Sequence, residues 1–195
     1  MQPADAPEIF ARWPFPPGVR GMRCAVHRPG LVEALDDGRM DRVFAAAEEH
    51  DVPLMMLLPN SKLHKLDEAA RRHPGLKLIV DHLGLFFSGD DKLEALKNLL
   101  PLAQRPNIAV KASNLPAYAP TEEGYPFRSV QPLVREAVSA FGAQRVFWGT
   151  DMTGMRCSYR QGVTMVTEEM SFLSSSDLEW VMGRGLCEWL GWNRA

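Results

Sequence analysis

Leu78-Ile79-Val80-Asp81-His82-Leu83-Gly84 decides the fold, together with Arg145-Val146-Phe147-Trp148-Gly149-Thr150-Asp151. Each stretch is a short apolar run that stops at an acid–base residue. A buried strand of a parallel α/β protein ends this way, with its functional side chain at the C-terminal end. A His and an Asp delivered from different strands point to one shared site.

Working outward, the alternation continues in both directions. Apolar runs predict strands at 19–26, 52–58, 76–82, 107–113 and 145–150. Helical spacing fills the gaps. Met40, Val43, Phe44 and Ala47 mark a helix over 39–50; Leu63, Leu66 and Ala70 mark one over 62–73, stopped by Pro74-Gly75. Leu93, Leu96 and Leu100 mark 91–100, and Gly142 closes a helix over 129–141. Two helices, 163–173 and 177–190, end the chain, the second with Ser176 and Glu179 at capping-box spacing. Residues 115–127, rich in Pro and Tyr, read as a lid or specificity loop; Tyr118 and Tyr125 within it and Arg128 beside it could shape the choice of substrate, but read more readily as surface residues. Residues 1–18 are proline-rich and read as an irregular lead-in, leaving 19–195 as a single domain.

Composition narrows the class. The chain has 195 residues, 46% of them hydrophobic and 24% charged, which suits one globular domain with a real core. A net charge of -2 without a Lys/Arg block argues against nucleic-acid binding. No run of apolar residues is long enough to span a membrane, and the start lacks the basic and apolar regions of a signal peptide. Cys24, Cys157 and Cys187 lie far apart without C-x-x-C spacing, as expected of buried thiols in a reducing compartment. The expected location is the cytoplasm.

Five strands would satisfy an open doubly wound sheet. That fold predicts a Gly-rich phosphate turn, and Gly18-Val19-Arg20-Gly21 is not one. The strand ends favour another answer. The strings LIVDHLG (78–84), GVRGMR (18–23), NIAVKAS (107–113) and RVFWGTDM (145–152), with the closing Leu186-Cys187-Glu188-Trp189-Leu190-Gly191-Trp192, are similar in content and order to the amidohydrolase-related family. The branch resembled includes dicarboxypyrone lactonases and metal-dependent decarboxylases. The resemblance implies a (β/α)₈ barrel of TIM type, present here as its fourth to eighth parallel strands with outer helices. The family's first strand carries a His-x-His pair. None occurs among His27, His50, His64, His73 and His82, so the resemblance covers about the C-terminal two-thirds of the family domain. Many relatives also place a ligand His after the second of these strands, where this chain has Leu58-Pro59-Asn60.

The candidate residues follow. His82 shares strand parity with Leu78 and Val80 and is expected at the barrel mouth, as metal ligand or carbonyl polariser. Asp81, of opposite parity, is expected to bond backbone or a helix behind the strand. Asp151, above Gly149 and Phe147, is the expected general base. Lys111 and Ser113 share a face; an interior Lys calls for an anionic partner, and Ser113 suits hydrogen bonding to substrate better than nucleophilic attack. Arg23, between the small residues Gly21 and Ala25, could fork onto a substrate carboxylate or form a rim salt bridge. His27, His50, His64 and His73 read as surface or capping residues.

The expected function is hydrolysis of a C–O (lactone) or C–N bond in a small carboxylated molecule. Asp151 activates water, His82 polarises the carbonyl, and Arg23, Lys111 and Ser113 hold the substrate. The alternatives are non-oxidative decarboxylation on the same scaffold and a non-catalytic remnant lacking the His-x-His strand. By resemblance, an intact relative holds zinc or manganese. His82 and Asp151 alone form an incomplete ligand set, so weak or no metal is expected here. A barrel lacking strands also predicts free sheet edges and self-association.

Overall fold

A computed structural model describes residues 3–13, 18–86, 88 and 91–192. Five strands form one sheet: β1 (Met22–Ala25), β2 (Leu54–Leu57), β3 (Leu78–Val80), β4 (Ile108–Ser113) and β5 (Val146–Gly149). All four pairings are parallel and the order is sequential, β1-β2-β3-β4-β5, with no reversal. That is the arc of a barrel rather than a doubly wound sheet.

The sheet has two unlike faces. Cys24, Leu54, Met56, Leu78, Val80, Ile108, Val110 and Val146 belong to the main core. Helices cover that face: α3 (Arg39–Glu49), α4 (His64–Arg72), α5 (Lys92–Leu99), α7 (Gln131–Phe141) and α8 (Tyr159–Thr167), through Val43, Leu66, Leu96, Val134 and Met165 among others. Ile79, Ala109 and Phe147, with Met55, look the other way and meet Leu186, Trp189 and Leu190 near α10 (Gly185–Trp189). Phe147 and Trp189 pack edge to face with ring centres 6.1 Å apart. Part of the inner face is therefore covered by the chain's own C-terminal helix.

This division corrects the parity expected at β3. Leu78 and Val80 face the helices, while Ile79 and Asp81 face inward. His82 does not continue the strand. It sits in left-handed backbone (φ 53°, ψ 43°), as does Leu83 (φ 51°, ψ 25°), in a tight turn over Asp81–Gly84. Alternation ends with the strand, so parity could not place His82. Asn114 (φ 57°) and Asp151 (φ 49°) also adopt positive φ, just past β4 and β5. Non-glycine residues are seldom held there, and such strain gathers at functional rims.

Other elements differ from expectation. The proline-rich lead-in contains α1 (Ala6–Phe10), whose Ala6 and Phe10 are fully buried and join the main core beside α3. A short helix, α2 (Val32–Asp36), precedes α3. In α5 the buried face is Ala95, Leu96 and Leu99, and Leu93 is exposed. Residues 115–127 begin with α6 (Leu115–Tyr118). Helix α8 starts at Tyr159, under a capping box from Ser158 and Gln161. The last predicted helix is broken: α9 (Ser175–Glu179) is capped by Ser174 and Asp177 rather than Ser176, and a wider turn at Trp180–Arg184 with Gly183 at φ 154° separates it from α10. The cysteines are free thiols. Among the described residues no helix is long and apolar enough to cross a membrane.

Candidate active site

Four polar or charged side chains are buried among the described residues: Asn60, Asp81, His82 and Ser113. All follow or end a strand at the C-terminal edge of the sheet. Burying polar groups is unfavourable unless they are paired, and here each has partners.

Asp81 is the electrostatic centre. Arg23 Nε donates to Asp81 Oδ2 at 2.7 Å, and Lys111 Nζ lies 2.9 Å from Oδ1. The Lys111 ammonium also reaches Met55 Sδ at 3.1 Å. Burial works to raise the Asp81 pKa, but Lys111 and Arg23 outweigh it and hold the carboxyl below its usual range. Asp81 thus faces two cations, not backbone or a helix behind the strand. The interior anion that Lys111 requires is Asp81.

Above this cluster stands His82. Its Nδ1 is 2.9 Å from Ser113 Oγ, and its Nε2 is 3.6 Å from Asp151 Oδ2. The left-handed turn swings the ring toward β4 and β5. Ser113 pairs with Gly149 in the β4–β5 register, and a Cβ on Gly149 would come within 3.3 Å of the Ser113 Cβ. Burial is the largest influence on His82 and lowers its pKa. Asp81 and Asp151 oppose that effect, while Arg23 and Lys111 reinforce it. The net result is a neutral imidazole at neutral pH.

Tyr118, at the end of α6, stands near the same charges. Burial, then the carboxylates Asp151 and Asp81, push its pKa up to about 12. A groove of about 510 Å³ beside it is lined by Lys92, Pro120, Ser129 and Leu133 among others. A second cavity, of about 520 Å³ near the N-terminal ends of β3 to β5, is lined by Lys77, Arg145, Trp180 and Trp189 and contains neither His nor Asp.

Two residues that strand-end reasoning did not assign hold the rim together. Asn60 Nδ2 donates to the carbonyls of Gly84 and Ala95 at 2.8 and 3.1 Å, and its Oδ1 accepts from Asn98 at 2.7 Å. It fixes the end of the His82 turn to α5. Arg156, past β5, donates to the carbonyls of Ala119, Pro120, Thr121 and Glu123 at 2.8–3.0 Å. It ties the segment carrying Tyr118 to the segment carrying Asp151. Close contact at Gly154, where a Cβ would lie 2.8 Å from Asn114 Oδ1, joins the same two loops. No local signal marks Arg156, because its partners lie 33–37 residues away. Tyr125, by contrast, turns outward to Thr164, and Arg128 pairs with Glu169. Of the other histidines, His73 pairs with Glu48 at 2.8 Å and His27 packs edge-on against Phe86.

As metal donors His82 and Asp151 make a pair, and no cluster of three or more His, Cys, Asp and Glu side chains forms among the described residues. A catalytic zinc site takes three protein ligands. The described residues alone do not fit such a site, and no step below passes through a metal.

Comparison with known proteins places the fold. A model of the amidohydrolase family matches residues 1–184. L-Fucono-1,5-lactonase of Burkholderia ambifaria is 30% identical over 154 residues, which are 77% of this chain and 52% of the lactonase. The chain thus spans about half the length of that curated relative. Among solved structures, an amidohydrolase from Burkholderia multivorans with bound zinc superimposes with a TM-score of 0.80 at 23% identity, covering 96% of this chain and 69% of that one. The 5-carboxyvanillate decarboxylase of Sphingomonas paucimobilis gives 0.64 at 15% identity, covering 97% and 63%. These structural likenesses establish the shared fold.

Proposed function

The chain belongs to the amidohydrolase family, and on that premise we propose that its site hydrolyses the ring ester of a small lactone. The observation that carries the reading is the His82–Asp151 pair. At 3.6 Å the carboxylate is too far from Nε2 to be tied up in a full hydrogen bond, yet both groups can reach one substrate atom set. The 30% identity to a lactonase supports the choice of an ester over an amide.

In this mechanism His82 Nε2 faces the lactone carbonyl and polarises it. Asp151 takes a proton from a water molecule as the water oxygen bonds to the carbonyl carbon. The tetrahedral intermediate collapses, the ring C–O bond breaks, and the proton on Asp151 passes to the leaving alkoxide. Lactone and water become a hydroxy acid, and Asp151 returns to its starting state. Arg23, half-exposed with its Nε on Asp81, offers its remaining N–H groups to a carboxylate or hydroxyl of the substrate. Lys111 is committed to Asp81 and shapes the field instead.

The test is acid release from a panel of five- and six-membered lactones, with and without ring carboxylates, followed at constant pH. Ring opening by the native chain and its loss in Asp151→Asn are expected. Release of CO₂ from aromatic acids, with the lactones untouched, would transfer the site to decarboxylation.

A further inference from the structure

We infer that Ser113 is a positioning residue that holds His82 as the tautomer with its proton on Nε2. Nothing in strand-end logic assigns this; it comes from three groups in a row. Ser113 Oγ lies 2.9 Å from Nδ1 on one side of the ring, and Asp151 Oδ2 lies 3.6 Å from Nε2 on the other.

A neutral imidazole has one N–H and one lone pair, whereas a serine hydroxyl both donates and accepts. Two arrangements are possible. If Nδ1 carried the proton it would donate to Ser113, and the bare Nε2 lone pair would face a carboxylate. The serine hydrogen would then need a separate acceptor. If Ser113 donates to Nδ1, its one hydrogen is used, and Nε2–H points toward Asp151. Only the second uses the serine hydrogen and avoids opposing two lone pairs in a site where His82 and Ser113 are both buried, and it leaves Nε2–H directed at Asp151 and available to a substrate. Burial keeps the ring neutral, so the tautomer, not the charge, is the open variable.

The backbone is consistent with this role. His82 occupies strained left-handed backbone, and its ring reaches Ser113 on the neighbouring strand. Gly149 leaves Ser113 clear on its other flank, where a Cβ would approach to 3.3 Å. The chemical consequence is that His82 presents a hydrogen-bond donor, the form that polarises a carbonyl. That consequence, though not the tautomer itself, rests on the lactonase reading.

The decisive measurement is the long-range proton–nitrogen NMR correlation of the His82 ring in the full chain labelled with ¹⁵N-histidine. The signal is assigned by its loss in His82→Gln. The native chain is expected to show Nε2 protonated and Nδ1 bare. Ser113→Ala should move the pattern toward a mixture of tautomers, and Ser113→Thr, which keeps the hydroxyl, should restore it. On a hydrolysed lactone, Ser113→Ala should lower kcat about 10-fold with little change in KM, the kinetic worth of one such hydrogen bond. A proton on Nδ1 in the native chain would overturn the inference, whether or not the variants fold. So would an unchanged pattern in a folded Ser113→Ala. A native chain with Nε2 protonated but no lactonase activity would support the tautomer and sink the function proposed above.

Discussion

Asp81 Oδ1 lies 2.9 Å from the Lys111 ammonium, Asp81 just past the end of β3 and Lys111 on β4, each one residue beyond the paired Val80 and Val110. The inward-facing lysine thus has its counter-ion within the protein. With Arg23 on the second oxygen, Asp81 becomes a fixed charged pedestal beneath His82. The consequences divide between stability and chemistry.

Replacing the proposed base, Asp151, tests the chemistry. Asp151→Asn should reduce kcat by about 100-fold or more while leaving KM nearly unchanged, because a general base acts in the transition state. Steady-state kinetics on any hydrolysed lactone reads this, and near-normal turnover removes Asp151 from the mechanism.

Asp81→Asn tests the pedestal. The variant leaves the largely buried Lys111 ammonium without its counter-charge, a loss of order 3 kcal/mol. Arg23, half-exposed, stays hydrated and adds little. Urea denaturation at neutral pH should show the loss. The sign with pH follows from the lowered Asp81 pKa. Its stabilisation is complete above the unfolded carboxyl value of about 4 and fades as pH falls through the lower folded value. The native chain should show that acid-side contribution and Asp81→Asn should lack it.

His82 should titrate below its ordinary value of about 6.5, since burial and the two nearby cations oppose its charging. Its NMR titration midpoint should lie on the acid side of that value. Lactone turnover should therefore be insensitive to His82 at pH 7 and above. A midpoint above 6.5 would mean that Asp81 and Asp151 dominate the ring instead.

Asn60→Ala should destabilise the fold by about 2 kcal/mol. It removes the side-chain donor from the Gly84 carbonyl and from the Ala95 carbonyl of α5, and an unsatisfied buried group costs about 1–3 kcal/mol. The midpoint of thermal unfolding should fall by several degrees. An unchanged midpoint would show that water replaces the amide.

Arg156→Ala should speed backbone hydrogen exchange between residues 119 and 127 while leaving exchange in β3 and β4 unchanged. Its donors occupy four carbonyls of that segment, and loss of such ties favours local opening over global unfolding. Uniformly faster exchange across the sheet would contradict a local role.

The strands and their sequential order were legible because the strands are mostly apolar runs, uninterrupted in Leu78-Ile79-Val80 and broken by a single cation in β1 and in β4. The same property hid the faces. With apolar residues on both sides, nothing in β3 distinguishes Ile79 from its neighbours, and His82 was placed inward by a parity that the turn abolishes. Arg23 and Lys111 were legible as unusual, but not as partners of Asp81, since that link joins residues 58 and 30 positions apart in sequence. The capping serine was misplaced by two residues because Ser174, Ser175 and Ser176 compete for one role, and only the reciprocal bond from Asp177 selects Ser174.

Arg156 also bears on how this scaffold can be re-engineered. Its guanidinium donates to four backbone carbonyls of its target segment, and its side-chain neighbours there are the Phe127 ring, 5.9 Å away, and the Glu123 carboxylate. Point substitutions at Thr121 or Glu122 should therefore be tolerated freely, whereas a single deletion there would shift the carbonyls out of reach. A library aimed at new substrates can vary Thr121 and Glu122, but not the length of this loop, unless Arg156 is transplanted with it.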